Sequence, residues 1–187
     1  MESISKEWES PRHIFLIGFM GSGKSSVAEA LSKRLGRERM EMDEQIVQQQ
    51  HMPITEIFDK YGEAYFRNLE TRLLRELQHQ EAAVISCGGG VPMRQENVDI
   101  MKKSGRVVLL TARPETIYER VKDSTQRPIL NQNMSVEFIE ELMEKRSAKY
   151  QAAADLVIKT DDKGLDEICS EMIQKLQKAE NSERQNF

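Results

Sequence analysis

The chain has 187 residues, of which 39% are hydrophobic and 31% are charged, and its formal net charge is −4. This length suits one domain that buries its core without disulfides or metal ions, and the composition excludes collagen-like and disordered proteins. No apolar run approaches the roughly 20 residues that span a bilayer. The acidic balance gives no general reason to expect binding to nucleic acid or to a membrane.

Two cysteines occur, Cys87 and Cys169, far apart and in no C-x-x-C pair. A disulfide framework and a thiolate zinc site are therefore not expected, and a reducing cytoplasm is the expected compartment. Residues 1–13 are polar and lack the apolar segment of a signal peptide. Residues 178–187 are also polar, and we expect them to be frayed.

Short apolar runs alternate with longer amphipathic segments along the chain, which is typical of a parallel α/β sheet covered by helices. Strands are predicted at 13–17, 39–42, 82–87, 106–111 and 155–159. Helices are predicted at 25–35, 43–50, 54–61, 63–80, 95–103, 115–122, 135–154 and 165–178. Ligands of such sheets bind at the carboxyl ends of the strands. We therefore expect the chemistry in the segments that follow them.

Residues 18–25, GFMGSGKS, follow the first strand and match the phosphate-binding pattern G-x-x-x-x-G-K-S/T. The glycines let backbone N–H groups approach phosphate oxygens, and the helix N-terminus beyond them favours an anion. Lys24 supplies a positive charge for the β- and γ-phosphates, and the Ser25 hydroxyl is a hard oxygen ligand for Mg²⁺. This segment predicts binding of a nucleoside triphosphate.

Glu41 and Asp43 lie at the end of the second predicted strand. Spaced by two, they point the same way if the chain is extended. In one interpretation, one acid acts through the water shell of the metal while the other faces an acceptor hydroxyl. In the other interpretation, both are solvated acids at a helix start, and Asp43 is the N-cap.

Three arginines are candidates for holding an anionic acceptor: Arg67, Arg127 and Arg146. Each alone is typical of a surface arginine, but two or three that converge would select a carboxylate or a phosphate. Arg127 lies in the polar segment 123–134, which has no helical or strand period and suits a lid that closes over phosphates.

Gly88, Gly89 and Gly90 follow the third predicted strand. They form either a flexible turn or a backbone surface that a small ligand approaches closely. Cys87, which precedes them, is interpreted as a small buried residue and not as a nucleophile.

Six segments occur in a characteristic order: GFMGSGKSS, the E-x-D at 41–43, GEAYFRNLE, SCGGGV, QRPIL and EKRSAKY. On these motifs the chain resembles the shikimate kinase family, over about residues 14–164. The phosphate-binding loop is common to many families. The combination of FR-x-x-E, GGG and RP at these separations is much more specific.

The resemblance implies an enzyme that transfers the γ-phosphate of ATP to the 3-hydroxyl of shikimate with Mg²⁺, in the route to chorismate and the aromatic amino acids. It implies the sheet order 2-3-1-4-5 of the kinases built like adenylate kinase, and a monomer. The whole chain, 1–187, would be one kinase domain with its core at about 12–178, an acceptor-binding segment at 43–80 and a lid at 123–134.

The resemblance also implies roles for individual residues. Lys24 holds the β- and γ-phosphates, Asp43 accepts a proton from the acceptor, and Arg127 reaches both substrates, which makes these three the catalytic residues. The nucleotide-binding residues are Gly21, Ser22, Gly23, Lys24, Ser25, Ser26, Arg120 and Arg127. The shikimate-binding residues are Asp43, Arg67, Gly88, Gly89, Gly90 and Arg146.

The metal-binding residues implied by the resemblance are Ser25 and Glu41, and the family usually has aspartate in place of Glu41. The longer side chain of Glu41 still reaches a metal-bound water, so we expect activity to survive. Two alternatives remain: another small-metabolite kinase of the same fold, directed to gluconate or to a nucleotide, and a nucleotide-binding regulatory module without transfer activity.

Overall fold

Residues 12–122 and 135–185 are described by the computed structural model. They form a five-stranded parallel sheet in the order β2-β3-β1-β4-β5. The strands are β1 (His13–Ile17), β2 (Glu38–Glu41), β3 (Ala83–Ser86), β4 (Gly105–Thr111) and β5 (Leu156–Lys159). The fold class and the strand order that the resemblance implied are therefore confirmed.

Seven helices connect and flank the strands within the described residues. They are α1 (Lys24–Leu35), α2 (Met42–Gln50), α3 (Ile54–Leu77), α4 (Gln95–Ser104), α5 (Pro114–Val121), α6 (Val136–Ala153) and α7 (Leu165–Gln185). A short 3₁₀ turn at Val91–Met93, which the sequence pattern did not predict, follows the triple glycine. No helix in the two described ranges is both long and apolar enough to cross a membrane.

Three details of the helices bear on the sequence predictions. The break predicted at Gly62 is confirmed, because Gly62 has φ 78° and ψ 170° in the middle of α3 and separates its two halves. The helix predicted at 165–178 is longer in the structure, since α7 continues to Gln185. Ser135 is confirmed as the N-cap of α6, because its side chain accepts a hydrogen bond from the N–H of Phe138.

The hydrophobic core lies on both faces of the sheet. Side chains alternate along β1, so Phe15 and Ile17 pack on one face while Ile14 and Leu16 pack on the other. The first face is covered mainly by α2, α3 and α4, and the second by α1 and α7. Because all five strands are parallel, their carboxyl ends meet at one edge, where the segments that follow them are brought together.

His13 is a buried polar residue of β1 that links three elements. Its Nδ1 accepts a hydrogen bond from the N–H of Ala83 at 3.1 Å, and its ring Nε2 lies 2.8 Å from the carbonyl oxygen of Leu77. The ring is therefore assigned as the neutral tautomer that donates from Nε2. Burial lowers the pKa of His13 below 6.5, although the bond to Leu77 opposes this shift, and the charge of Arg37 lowers the pKa further.

We predict that His13 makes the free energy of unfolding fall as the pH decreases below about 6.5. The unfolded chain binds a proton on this ring more readily than the folded chain does, so acid favours unfolding. Urea unfolding of the wild type and of His13→Gln, from about pH 8 to about pH 5, measures the effect. The difference in unfolding free energy between the wild type and His13→Gln should decrease as the pH falls.

The matched control for this experiment is His79→Gln, because His79 is exposed at the end of the same helix that His13 contacts. This variant should follow the wild-type pH profile. A constant difference in stability between the wild type and His13→Gln over the whole range would contradict the prediction.

Candidate active site

The loop between β1 and α1 has the conformation of a phosphate cradle. Gly18, Gly21 and Gly23 have φ values of 144°, 76° and 96°, which side chains with a Cβ rarely adopt. A Cβ on Gly18 would also overlap the carbonyl oxygen of Leu110. Lys24, the first residue of α1, donates from Nζ to the carbonyl oxygens of Gly18 at 2.9 Å and Phe19 at 3.0 Å. Its ammonium group therefore lies over the loop that would hold the phosphates.

The two residues predicted to bind metal lie together. The Ser25 hydroxyl donates to Oε2 of Glu41 at 3.2 Å. The side chain of Glu41 is only 12% exposed, and its Oε1 is buried without a hydrogen-bond partner among the described residues. Arg39 lies 3.9 Å from this oxygen. A hydroxyl next to a carboxylate supplies the hard oxygen ligands that Mg²⁺ prefers, so these residues fit that ion.

Asp43 is the second residue of α2 and is exposed to the cleft. The N-cap of α2 is Glu41, so the alternative interpretation of Asp43 as an N-cap is wrong. A Cβ on Gly88 would lie 2.9 Å from Oδ1 of Asp43 and 3.1 Å from Oε1 of Glu70. Gly88 therefore separates two carboxylates, and the absence of its side chain leaves room for both.

Arg67 is held by two carboxylates of its own helix. Its NH1 donates to both oxygens of Glu70 at 2.9 Å, while its Nε and NH2 donate to Oε1 of Glu63 at 3.2 and 3.0 Å. A Cβ on Gly90 would overlap the Arg67 guanidinium. Gly90 therefore admits this charged group to the cleft.

Glu70 has no exposed side-chain surface. Burial raises the pKa of Glu70 to about 7, although the charge and hydrogen bonds of Arg67 pull in the opposite direction. The negative charge of nearby Asp43 raises this pKa further, and Arg94 lowers it. Glu70 is thus a carboxylate that titrates near neutral pH beside the predicted acceptor site.

Arg146 reaches the same glycine segment from α6. A Cβ on Gly89 would lie 3.6 Å from NH1 of Arg146 and 3.4 Å from the hydroxyl of Tyr150. Tyr150 is buried, and its hydroxyl donates to the carbonyl oxygen of Gly89 at 2.7 Å. Burial raises the pKa of Tyr150, while the charge and hydrogen bond of Arg146 and the charge of Arg67 oppose that shift. Arg67 and Arg146 therefore flank consecutive glycines.

Arg120 on α5 contacts the phosphate-binding loop directly. Its NH1 donates to the carbonyl oxygen of Gly21 at 3.2 Å and to the hydroxyl of Thr160 at 3.1 Å. Its NH2 donates to the carbonyl oxygen of Thr160 at 3.1 Å. The resemblance implied that Arg120 binds the nucleotide, and the structure shows Arg120 in contact with the loop that would hold the phosphates.

These groups surround one cleft of about 840 Å³ at the carboxyl edge of the sheet. The predicted site residues that line it are Gly21, Ser22, Gly23, Lys24, Ser25, Ser26, Glu41, Asp43, Arg67, Gly88, Gly89, Gly90, Arg120 and Arg146. Arg127 and the predicted lid 123–134 lie outside the described residues. Cys87 is buried, and burial raises the pKa of its thiol far above the usual range, which agrees with an inert residue.

Sequence reasoning assigned no role to Glu70, Tyr150 or Thr160. Glu70 and Tyr150 follow Arg67 and Arg146 by three and four residues, which places each beside its arginine on a helix. Thr160 directly follows β5, at the edge where the chemistry was expected. These positions in the sequence are the signals that could have identified all three residues.

Comparisons with known proteins find similar sequences over most of the chain. A family model described as shikimate kinase matches residues 20–177. A shikimate kinase of Dehalococcoides mccartyi is 41% identical over 91% of this chain and 96% of its own length. A shikimate kinase of Thermodesulfovibrio yellowstonii is 38% identical over 91% of this chain and 98% of its own length.

Solved structures give the same result. The shikimate kinase of Acinetobacter baumannii in complex with shikimate has a TM-score of 0.85 and 31% identity, covering 94% of this chain and 98% of that one. The shikimate kinase of Aquifex aeolicus has a TM-score of 0.75 and 37% identity, covering 88% and 96% of the two chains. A gluconokinase of Sinorhizobium meliloti has a TM-score of 0.59 at 21% identity, covering 95% and 98%, and shares the fold alone.

We predict that Glu70 gives stability a pH dependence opposite in sign to that of His13. Its folded-state pKa of about 7 exceeds the ordinary value of 4.5, so the folded chain binds the proton more tightly. The free energy of unfolding contributed by Glu70 should therefore fall as the pH rises from about 4.5 through about 7. The difference in unfolding free energy between the wild type and Glu70→Gln, measured in urea across this range, should decrease with rising pH.

Glu63→Gln is the control for disturbance of Arg67, because it removes the exposed carboxylate from the same guanidinium. A difference between the wild type and Glu70→Gln that stays flat, or that grows as the pH rises, would contradict the raised pKa of Glu70.

Proposed function

The chain belongs to the shikimate kinase family, and we propose that it transfers the γ-phosphate of ATP to the 3-hydroxyl of shikimate. One observation supports this most directly. Arg67 and Arg146 flank Gly89 and Gly90 in the same cleft as the phosphate-binding loop. This arrangement offers one anion-binding group to a phosphate donor and a second one to a carboxylate-bearing acceptor.

The donor half of the cleft would hold ATP. The loop N–H groups and Lys24 neutralise the phosphate oxygens, and α1 adds the positive end of its dipole. Ser25 and Glu41 would hold Mg²⁺, with Glu41 acting through a water of the ion. When bound, Mg²⁺ neutralises charge that develops on the transferred phosphoryl group.

The acceptor half would hold shikimate by its carboxylate. The planar guanidinium groups of Arg67 and Arg146 suit paired hydrogen bonds to that carboxylate. Asp43, beside Gly88, would orient the reacting hydroxyl and accept its proton as the phosphorus–oxygen bond forms. Holding both substrates in one cleft makes the transfer effectively intramolecular, which is the main source of rate.

We also propose that the whole chain is one kinase domain and that it acts as a monomer in the cytoplasm. In this proposal, Arg127 in the segment 123–134 reaches both substrates. The cytoplasmic location is supported by Cys87 and Cys169, which are both unpaired. The monomer is supported by the described residues of one chain, which already surround the cleft.

The proposal is tested by release of ADP from ATP in the presence and absence of shikimate. Shikimate-dependent release is the expected result. Release that depends instead on gluconate or on a nucleoside monophosphate would favour another kinase of the fold. ATP binding without turnover of any of these acceptors would favour a regulatory module, and both results would contradict the proposal.

Asp43→Asn should lower kcat by at least about a hundredfold, because general base catalysis contributes on the order of 10²-fold or more. The affinity for ATP should change little, since Asp43 is on the acceptor side of the cleft. Steady-state kinetics and calorimetric titration of ATP measure the two effects. An unchanged kcat would contradict the role of Asp43.

Gly90→Ala should raise the KM for shikimate by about tenfold or more, the cost of losing one charge-assisted hydrogen bond. The new methyl group displaces the Arg67 guanidinium, while the φ of Gly90, −88°, is one that alanine adopts easily. The KM for ATP should change much less, because Arg67 is on the acceptor side of the cleft.

The double variant Gly90→Ala/Arg67→Ala tests whether the methyl group acts through Arg67. It should have the same KM for shikimate as Arg67→Ala alone, because the displaced group is already absent. Additive effects of the two substitutions would show that Gly90 acts by another route and would contradict the prediction.

A further inference from the structure

We infer that Thr160 is a positioning residue for the phosphates of the nucleotide. Its hydroxyl, together with Arg120, would fix the carbonyl groups of Gly21 and Ser22 so that the N–H group of Gly23 faces the bound anion. The inference rests on the proposed function in one respect, which is that the cleft receives a nucleotide.

Thr160 lies where β5 meets the phosphate-binding loop. The residue is 2% exposed, and its backbone N–H donates to the carbonyl oxygen of Thr111 at 2.8 Å. Its Oγ1 lies 3.2 Å from the carbonyl oxygen of Ser22 and 3.2 Å from that of Thr111. A hydroxyl has one hydrogen and donates to one carbonyl at a time. Because Thr111 already accepts the backbone N–H, Ser22 is the carbonyl that most needs this hydrogen.

Arg120 contacts both Thr160 and the phosphate-binding loop. Its NH1 donates to Oγ1 of Thr160 at 3.1 Å and to the carbonyl oxygen of Gly21 at 3.2 Å. A hydroxyl that accepts from a guanidinium becomes a stronger donor, because hydrogen bonds in a chain polarise one another. Two consecutive carbonyl groups of the loop are therefore held by Arg120 and Thr160.

Fixing the Ser22 carbonyl also fixes the N–H group of Gly23. The C=O and N–H of one trans peptide point in opposite directions, so a carbonyl turned towards Thr160 turns that N–H the other way. Gly23, which follows this peptide, is a glycine with positive φ and has no Cβ to oppose a rotation of the peptide. A rotated peptide would present a carbonyl oxygen to the phosphates. The bond from Thr160 opposes this rotation.

The test uses calorimetric titration of Thr160→Val and Thr160→Ser with three probes: ADP, inorganic pyrophosphate and shikimate. Loss of the hydroxyl should weaken both ADP and pyrophosphate by about tenfold, the effect of one or two hydrogen bonds. Thr160→Ser, which keeps the hydroxyl, should bind both within about twofold of the wild type. The affinity for shikimate should be unchanged in both variants.

Pyrophosphate separates two roles of the same network, because it has phosphates but no base. If Thr160→Val weakened ADP and not pyrophosphate, the residue would act through a base contact of Arg120, and the inference would be overturned. Wild-type affinity of Thr160→Val for both probes, or failure of serine to restore binding, would overturn it as well. Thr160→Ala removes the same hydroxyl if the valine variant does not fold.

Thr71→Val is the matched control, because Thr71 is also a buried threonine and its hydroxyl lies 2.7 Å from Oδ1 of Asn97, away from the loop. It should keep wild-type affinity for ADP and pyrophosphate. An equal loss of affinity in this variant would mean that removing the hydroxyl of any buried threonine weakens binding, and it would overturn the inference. Binding of ADP needs no acceptor, so absence of shikimate-dependent turnover would contradict the proposed function and leave this test intact.

Discussion

The ion pair between Arg67 and Glu70 is the interaction on which the acceptor half of the cleft depends. The carboxylate of Glu70 has no exposed surface and is therefore costly to ionise, and the guanidinium of Arg67 next to it offsets that cost. The same ion pair fixes the orientation of the guanidinium. Gly90 has no side chain at the point where the guanidinium enters. Asp43 adds a second carboxylate on the other side of Gly88. The positive and negative charges in this half of the cleft are therefore nearly balanced.

The parallel sheet explains why the two halves of the cleft meet. β1 leads into the phosphate-binding loop, and β3, its neighbour in the sheet, leads into the triple glycine. α6 brings Arg146 and Tyr150 to the glycines from the opposite side. The formal charge of −4 coexists with cations in the cleft, and Lys24, Arg67 and Arg120 are held there by carbonyl or carboxylate oxygens of the protein.

Much of the fold could be predicted from local pattern, because buried strands, helix faces and the breaks at glycine are local properties. β2 was the least distinct strand, since it is the edge strand and three of its four residues are charged. The continuation of α7 to Gln185 was missed because a polar composition alone does not distinguish a solvated helix from a frayed end.

The residues of the site also differ in how far the sequence could predict them. The phosphate-binding loop is contiguous in sequence and could be found directly, whereas the separate surroundings of Gly88, Gly89 and Gly90 depend on residues from α2, α3 and α6. The burial of Glu70 and the contacts of Thr160 are tertiary properties that no single segment carries. The resemblance to the family supplied the roles of Arg67 and Arg146, which spacing alone left open.

A crystal structure of the chain with shikimate and a non-hydrolysable ATP analogue would show directly how the acceptor is held. We expect the carboxylate of shikimate on the guanidinium groups of Arg67 and Arg146, and its 3-hydroxyl between Asp43 and the γ-phosphate. A carboxylate bound elsewhere in the cleft, with Arg67 still paired to Glu70 and Glu63 alone, would contradict it.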